Sequence, residues 1–131
     1  MPIKYDDARF GVEQPWTTDL TGSLASTVAA TELFRYRFKK AMAINAVYAR
    51  YKVGGTDAVR KVIIGTAAAG GSITAIGTAT LGTQANNTTA NLSISGAVAA
   101  NEEIIFQHLG TGAEPWNVQF TLFLQEKFVN A

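Results

Sequence analysis

From Val62 to Asn101 this chain has no charged side chain at all, whereas an ordinary soluble domain is about one quarter charged. The gap is not a membrane span. Val62, Ile63, Ile64, Ile73, Ile76 and Leu81 are interrupted by glycine, threonine, serine and asparagine. They never build the roughly 18 unbroken apolar residues that a helix needs to cross a bilayer, so no membrane partner is expected. The stretch reads as short strands and tight turns with a neutral surface of small side chains. Stripping water from charge is costly, and interface cores are depleted of it for that reason. A long neutral β surface therefore points to a protein that other proteins cover, a building block rather than a catalyst.

Other absences narrow the chemistry. Cysteine is missing altogether, which rules out disulfides and thiolate metal sites and fits synthesis in a reducing cytoplasm. His108 is the single histidine. With no second histidine and no cysteine the usual metal site cannot be assembled, and a packed or surface residue of a strand is the expected role. Ser93 and Ser95 lie in no GxSxG elbow, so no hydrolase triad is expected. Asp6–Asp7 and Glu102–Glu103 are adjacent pairs. Neighbours on a strand point to opposite faces, so these read as solvated turn residues and not as convergent carboxylates. The Gly65–Ser72 segment is glycine-rich but lacks the lysine of a phosphate loop. No enzymatic activity and no cofactor are expected. The start, MPIKYDDARFGVEQ, has no continuous apolar run of a signal peptide, so export by lysis or within a particle is the expected route out of a cell.

What is present is a 131-residue chain of net charge +1, the size of one domain. Its charge is unevenly spread. Residues 1–31 carry a net −2, residues 32–61 set eight basic residues against Glu32 and Asp57, and the last thirty carry Lys127 against Glu102, Glu103, Glu114 and Glu126. Acidic ends and a basic middle can pair within the fold or between copies. Residues 1–31 lack strand or helix periodicity but space Tyr5, Phe10 and Trp16 through polar positions. They are expected to form an extended N-terminal arm whose aromatic rings dock on the same domain or on a neighbour; the alternative is a strand or loop folded back on its own core.

Residues 32–131 are expected to form an antiparallel β-sandwich, jelly-roll-like or immunoglobulin-like, with seven or eight strands. Residues 33–38 alternate, with Phe34, Tyr36 and Phe38 on one face and Leu33, Arg35 and Arg37 on the other. Residues 41–53 continue as a strand, with Met42, Ile44, Ala46 and Tyr48 on one side and Val47, Ala49 and Tyr51 on the other. Further strands are predicted over 59–65, around 73–76 and 78–81, around 91–95, over 103–109, and from 117 onward with Val118, Phe120, Leu122 and Leu124 on one face and Asn117, Gln119, Thr121 and Phe123 on the other. Gly70-Gly71 and Ala99-Ala100-Asn101 supply turns. Arg35, Arg37, Lys39 and Lys40 interleave with Tyr36 and Phe38, the composition of a single-stranded nucleic-acid site. On a strand, however, the aromatics face away from Arg35 and Arg37, so stacking and charge do not share a surface and no nucleic-acid partner is expected. Trp16 and Trp116 could each floor a sugar site, but core or interface packing is the expectation.

The segments Phe38-Lys-Lys-Ala-Met-Ala-Ile-Asn-Ala-Val-Tyr-Ala-Arg-Tyr, Gly96-Ala-Val-Ala-Ala-Asn-Glu-Glu-Ile-Ile-Phe and Val118-Gln-Phe-Thr-Leu-Phe-Leu flank a neutral Gly/Ala/Thr middle. Over roughly residues 33–128 this layout resembles the small β-sandwich virion proteins of tailed bacteriophages, in particular the decoration or cement proteins of capsids. The resemblance implies a homotrimer on the capsid exterior, made in the host cytoplasm, with the major capsid protein as partner. It implies partner contacts through Tyr5, Phe10 and Trp16 of the arm and through Arg35 and Arg37. The alternative is a receptor- or carbohydrate-binding module of a tail fibre or cellular protein, with Trp116 against the glycan.

Overall fold

The computed structural model describes residues 13–22, 31–53, 60–81, 84–109 and 116–127. These form nine strands: β1 (Glu13–Gly22), β2 (Thr31–Arg37), β3 (Met42–Val53), β4 (Lys61–Ala67), β5 (Thr74–Thr80), β6 (Thr88–Asn91), β7 (Gly96–Val98), β8 (Glu103–Leu109) and β9 (Trp116–Glu126). One sheet runs β1-β9-β3-β6, with β7 also on β3; the other runs β2-β8-β4-β5. Every pairing is antiparallel.

The pairings nest. β1 lies on β9, β2 on β8, β3 on β6 and β7, and β4 on β5. The chain is thus one long hairpin folded at the β4–β5 turn and rolled up, so that β9 also meets β3 and β8 also meets β4. This is a jelly roll, and the topology separates it from the immunoglobulin-like alternative.

The core lies between the sheets. Val47, Ala49 and Tyr51 of β3 and Val118, Phe120 and Leu122 of β9 face Val62 and Ile64 of β4 and Ile104 and Phe106 of β8, all at most 1% exposed. Alternation in β9 put Val118, Phe120 and Leu122 on one face, and burying each large core residue stabilises the fold by roughly 1.5–3 kcal/mol.

Four local expectations change. Residues 13–22, part of the expected arm, pair along their whole length with β9. The sequence hid this strand because only Trp16 and Leu20 mark its inward face, and Pro15, tolerated on an edge strand, broke the pattern. In β3 a bulge falls between Ile44 and Ala46. The extra residue reverses the side-chain phase, so Ile44 is buried with Val47, Ala49 and Tyr51 instead of sharing a side with Ala46 and Tyr48. Residues 92–95, expected to be strand, are the irregular link between β6 and β7, where Ser93 takes a left-handed φ of 56°. The short segments expected at 73–76 and 78–81 are one strand, β5.

Candidate functional site

The two long sides of the sandwich are built from different materials. Between the edge strands β1 and β2 the gap is filled by aromatic rings. Trp16 lies 5.9 Å from Phe34, 5.7 Å from Tyr36 and 6.1 Å from Phe38, and stacks on Phe106 at 6.2 Å with an interplanar angle of 17°. Tyr36 meets Phe38 edge-on at 4.9 Å, and Phe106 reaches across to Phe120 of the other sheet at 5.3 Å. Such pairs contribute about 0.5–1.5 kcal/mol each beyond the area they bury. Tyr36, at 45% exposure, brings this seam to the surface.

Arg35 points from the opposite face of β2 and holds a turn. Its Nη1 donates to Glu103 Oε1 at 2.5 Å, Nε and Nη2 donate to Glu32 Oε1 at 3.1 and 2.8 Å, and Nη2 also donates to the Gly71 carbonyl at 3.1 Å. The Gly70 N–H donates to the same Glu103 oxygen at 3.0 Å. Gly70 sits at φ +73° and the Ile73 side chain occupies the space that a Cβ on Gly65 would need. The β4–β5 turn is thereby folded back onto the sheet, and Ile105, cross-strand from both Arg35 and Gly65, is fully buried on that face. Hydrogen bonds donated to Glu32 and then to Glu103 raise the Arg35 pKa further above its ordinary range. The guanidinium of Arg35 and the N–H of Gly70 hold the Glu103 carboxyl below its ordinary range.

The other long side has no such devices. β5 packs near the β6–β7 link, and contact is close because side chains are missing: a Cβ on Gly77 would overlap the Ile94 side chain, and Gly96 lies against Ile76. Thr78, Thr80, Thr88, Thr89, Asn91, Ser93 and Ser95 are exposed along it, with no charge among them. Local bonds fix its loops, with Thr88 Oγ1 donating to the Ala85 carbonyl at 2.7 Å and the Ser93 N–H to Asn91 Oδ1 at 2.9 Å.

The residues singled out from sequence are dispersed. Tyr5 and Phe10 lie outside the described residues, and so does the side chain of Trp116, whose backbone opens β9 opposite Gly22. Trp16 is part of the aromatic seam, docked on its own domain. Arg35 is engaged in the turn clamp, while Arg37 is exposed. His108 is packed in the interior at 0% exposure. Glu103 is a correction: it is a part-buried clamp residue and not a solvated turn residue, because the folded-back turn brings a backbone donor to it. The uneven charge is used within the fold, since Lys52 pairs with Asp19 at 3.2 Å and Lys40 with Glu126 at 3.3 Å. Arg60 and Tyr51, each 1% exposed, gave no sequence signal of deep burial; burial pushes the Tyr51 hydroxyl pKa up. Among the described residues no three histidine, cysteine or acidic side chains gather as a metal site, and no helix is long and apolar enough to cross a membrane.

No protein-family description matches this sequence, and no curated protein matches it. Solved structures do. A chain from the structure of infectious bursal disease virus, Gx strain, superposes with a TM-score of 0.50 at 9% identity, over 87% of this chain and 32% of that one. The GH26-CBM35 β-(1,4)-mannanase of Podospora anserina gives 0.51 at 12% identity, over 89% of this chain and 28% of that one. The capsid structure of Helicobacter pylori bacteriophage KHP30 gives 0.46 at 9% identity, over 90% of this chain and all of that one. The present chain thus spans about a third of the viral chain and just over a quarter of the mannanase. The first two likenesses establish the fold. It is an all-β sandwich.

Proposed function

We propose that this chain is a non-enzymatic virion structural protein, a cement protein that decorates and stabilises a phage capsid. In this reading it sits on the capsid exterior as a homotrimer, contacts the major capsid protein, and is made in the host cytoplasm. The observation that carries the proposal is the neutral side of the sandwich, where exposed threonine, serine and asparagine side chains on β5, β6 and the link to β7 carry no charge. Such a surface can be covered by protein without stranding a desolvated ion. A lattice of neighbours then multiplies modest contacts through effective concentration. Tyr5, Phe10 and the exposed Arg37 are the partner contacts in this reading, with Trp16 anchoring the strand that follows the first two.

The test is the copy number of this chain in purified virions, by quantitative mass spectrometry against the major capsid protein. Hundreds of copies per particle, near one per capsid subunit, support the proposal, and a dozen or none refute it. Deleting residues 1–12, which spares β1, should weaken capsid binding. Unchanged binding and shell stability would remove the arm from the proposal.

A further inference from the structure

The four sheet edges differ in how they are guarded. Exposed edges invite pairing with another chain, and charge, proline or bulges ordinarily prevent it. β1 carries Glu13, Pro15 and Asp19, and β2 carries Glu32, Arg35, Arg37 and a bulge near Leu33. The edge formed by β6 and β7 is broken by the link at 92–95. β5 has neither charge nor proline; its one guard is a bulge at Ile76, opposite the Ile64/Gly65 step of β4. Beyond the bulge, Gly77–Leu81 is regular and uncharged.

The hydrogen-bond phase of this stretch is fixed. The Leu81 N–H donates to the Arg60 carbonyl at 2.8 Å, and antiparallel pairs alternate between bonded and non-bonded. With Val62 opposite Ala79 and Ile64 opposite Gly77, residues 77, 79 and 81 bond to β4. The backbone groups of Thr78 and Thr80 therefore point to the free edge. Both threonines are exposed, while Ala79 faces the core at 0% exposure. Among the described residues no strand takes this edge.

We propose that β5 pairs antiparallel with β5 of a second copy, about a two-fold axis centred on Ala79. In that register Thr78 of one copy is the bonded partner of Thr80 of the other, twice over, and Ala79 opposes Ala79. The sequence around the axis, Thr-Ala-Thr, reads the same in both directions, as an isologous contact requires. Threonine–threonine pairs are favourable across strands. A second copy fits better than a charged partner because the strand offers no ion to pair with one. The contact makes a continuous eight-stranded sheet from two four-stranded ones, is small, and can coexist with threefold contacts elsewhere. It does not depend on the capsid reading.

The native chain has no cysteine, which permits a register-specific test on the full-length protein. Thr78→Cys labelled with nitrogen-15 is mixed at high concentration with unlabelled Thr80→Cys and mildly oxidised, and each variant is also oxidised alone. Bonded partners place their Cα atoms about 5.5 Å apart, within disulfide range. Two copies of the same variant meet on the diagonal, at about 7–8 Å, outside it. The expected result is a mixed-mass disulfide dimer in the mixture and monomer in each variant alone, with circular dichroism unchanged. No mixed dimer, or equal cross-linking in all three samples, overturns the proposal.

Discussion

Along the β1–β2 side the two sheets are joined by Trp16, Phe34, Tyr36, Phe38 and Phe106. Along the β5–β6–β7 side they approach until Gly77 receives Ile94 and Gly96 receives Ile76. The first side supplies ring area and is bordered by charged edge strands. The second achieves closeness by omitting side chains and leaves a neutral exterior. A jelly roll can therefore differ along its two long sides, one closed by packed rings and the other offering a neutral surface that is inexpensive to desolvate.

Phe106→Ala should separate the two sides most sharply. It removes a ring that touches Trp16, Phe34 and Phe120, and a loss of about 3–5 kcal/mol is expected in urea unfolding. Trp16→Ala, only half-buried, should cost about 2–3 kcal/mol; a loss well below this would mean that backbone pairing with β9, and not the seam, retains β1. On the other side, Gly77→Ala drives a methyl into Ile94 and should cost about 1–2 kcal/mol. Adding Ile94→Ala to it should recover part of that loss, since the two residues are in contact; strictly additive losses would disprove the contact.

A smaller effect is expected from acid. Glu103 has a folded pKa below its ordinary 4.5, so its contribution is complete above 4.5 and is lost as pH falls through the lower folded value. Glu103→Gln should flatten the decline in stability with falling pH below that point, and an unchanged pH profile would count against the clamp. The least change in folding is expected for Thr78→Lys, within about 0.5 kcal/mol, while concentration-dependent self-association measured by sedimentation disappears.

The two faces of β9 were legible from sequence because Val118, Phe120, Leu122 and Leu124 alternate with Asn117, Gln119 and Thr121, whereas in β8 the consecutive Ile104, Ile105 and Phe106 are all buried and the period alone does not choose the inward face. The partition of Phe34, Tyr36 and Phe38 from Arg35 and Arg37 followed from the same period. The bulge in β3 was not legible, since the Ile44/Ala46 step depends on the register of β9 and leaves no compositional mark. Nor was the clamp: Arg35 and Glu103 are joined only because β2 lies on β8 and the β4–β5 turn folds over them.

By itself, then, the sequence determined the β class, the neutral stretch from residue 62 to 101 and the two faces of β9, because period and composition act over neighbouring positions. Only the tertiary structure decided which strands became edges, that Trp16 closes one side of the sandwich while glycines close the other, and which threonines present free backbone groups. Those outcomes depend on pairing between strands distant in the chain, which local patterning does not encode.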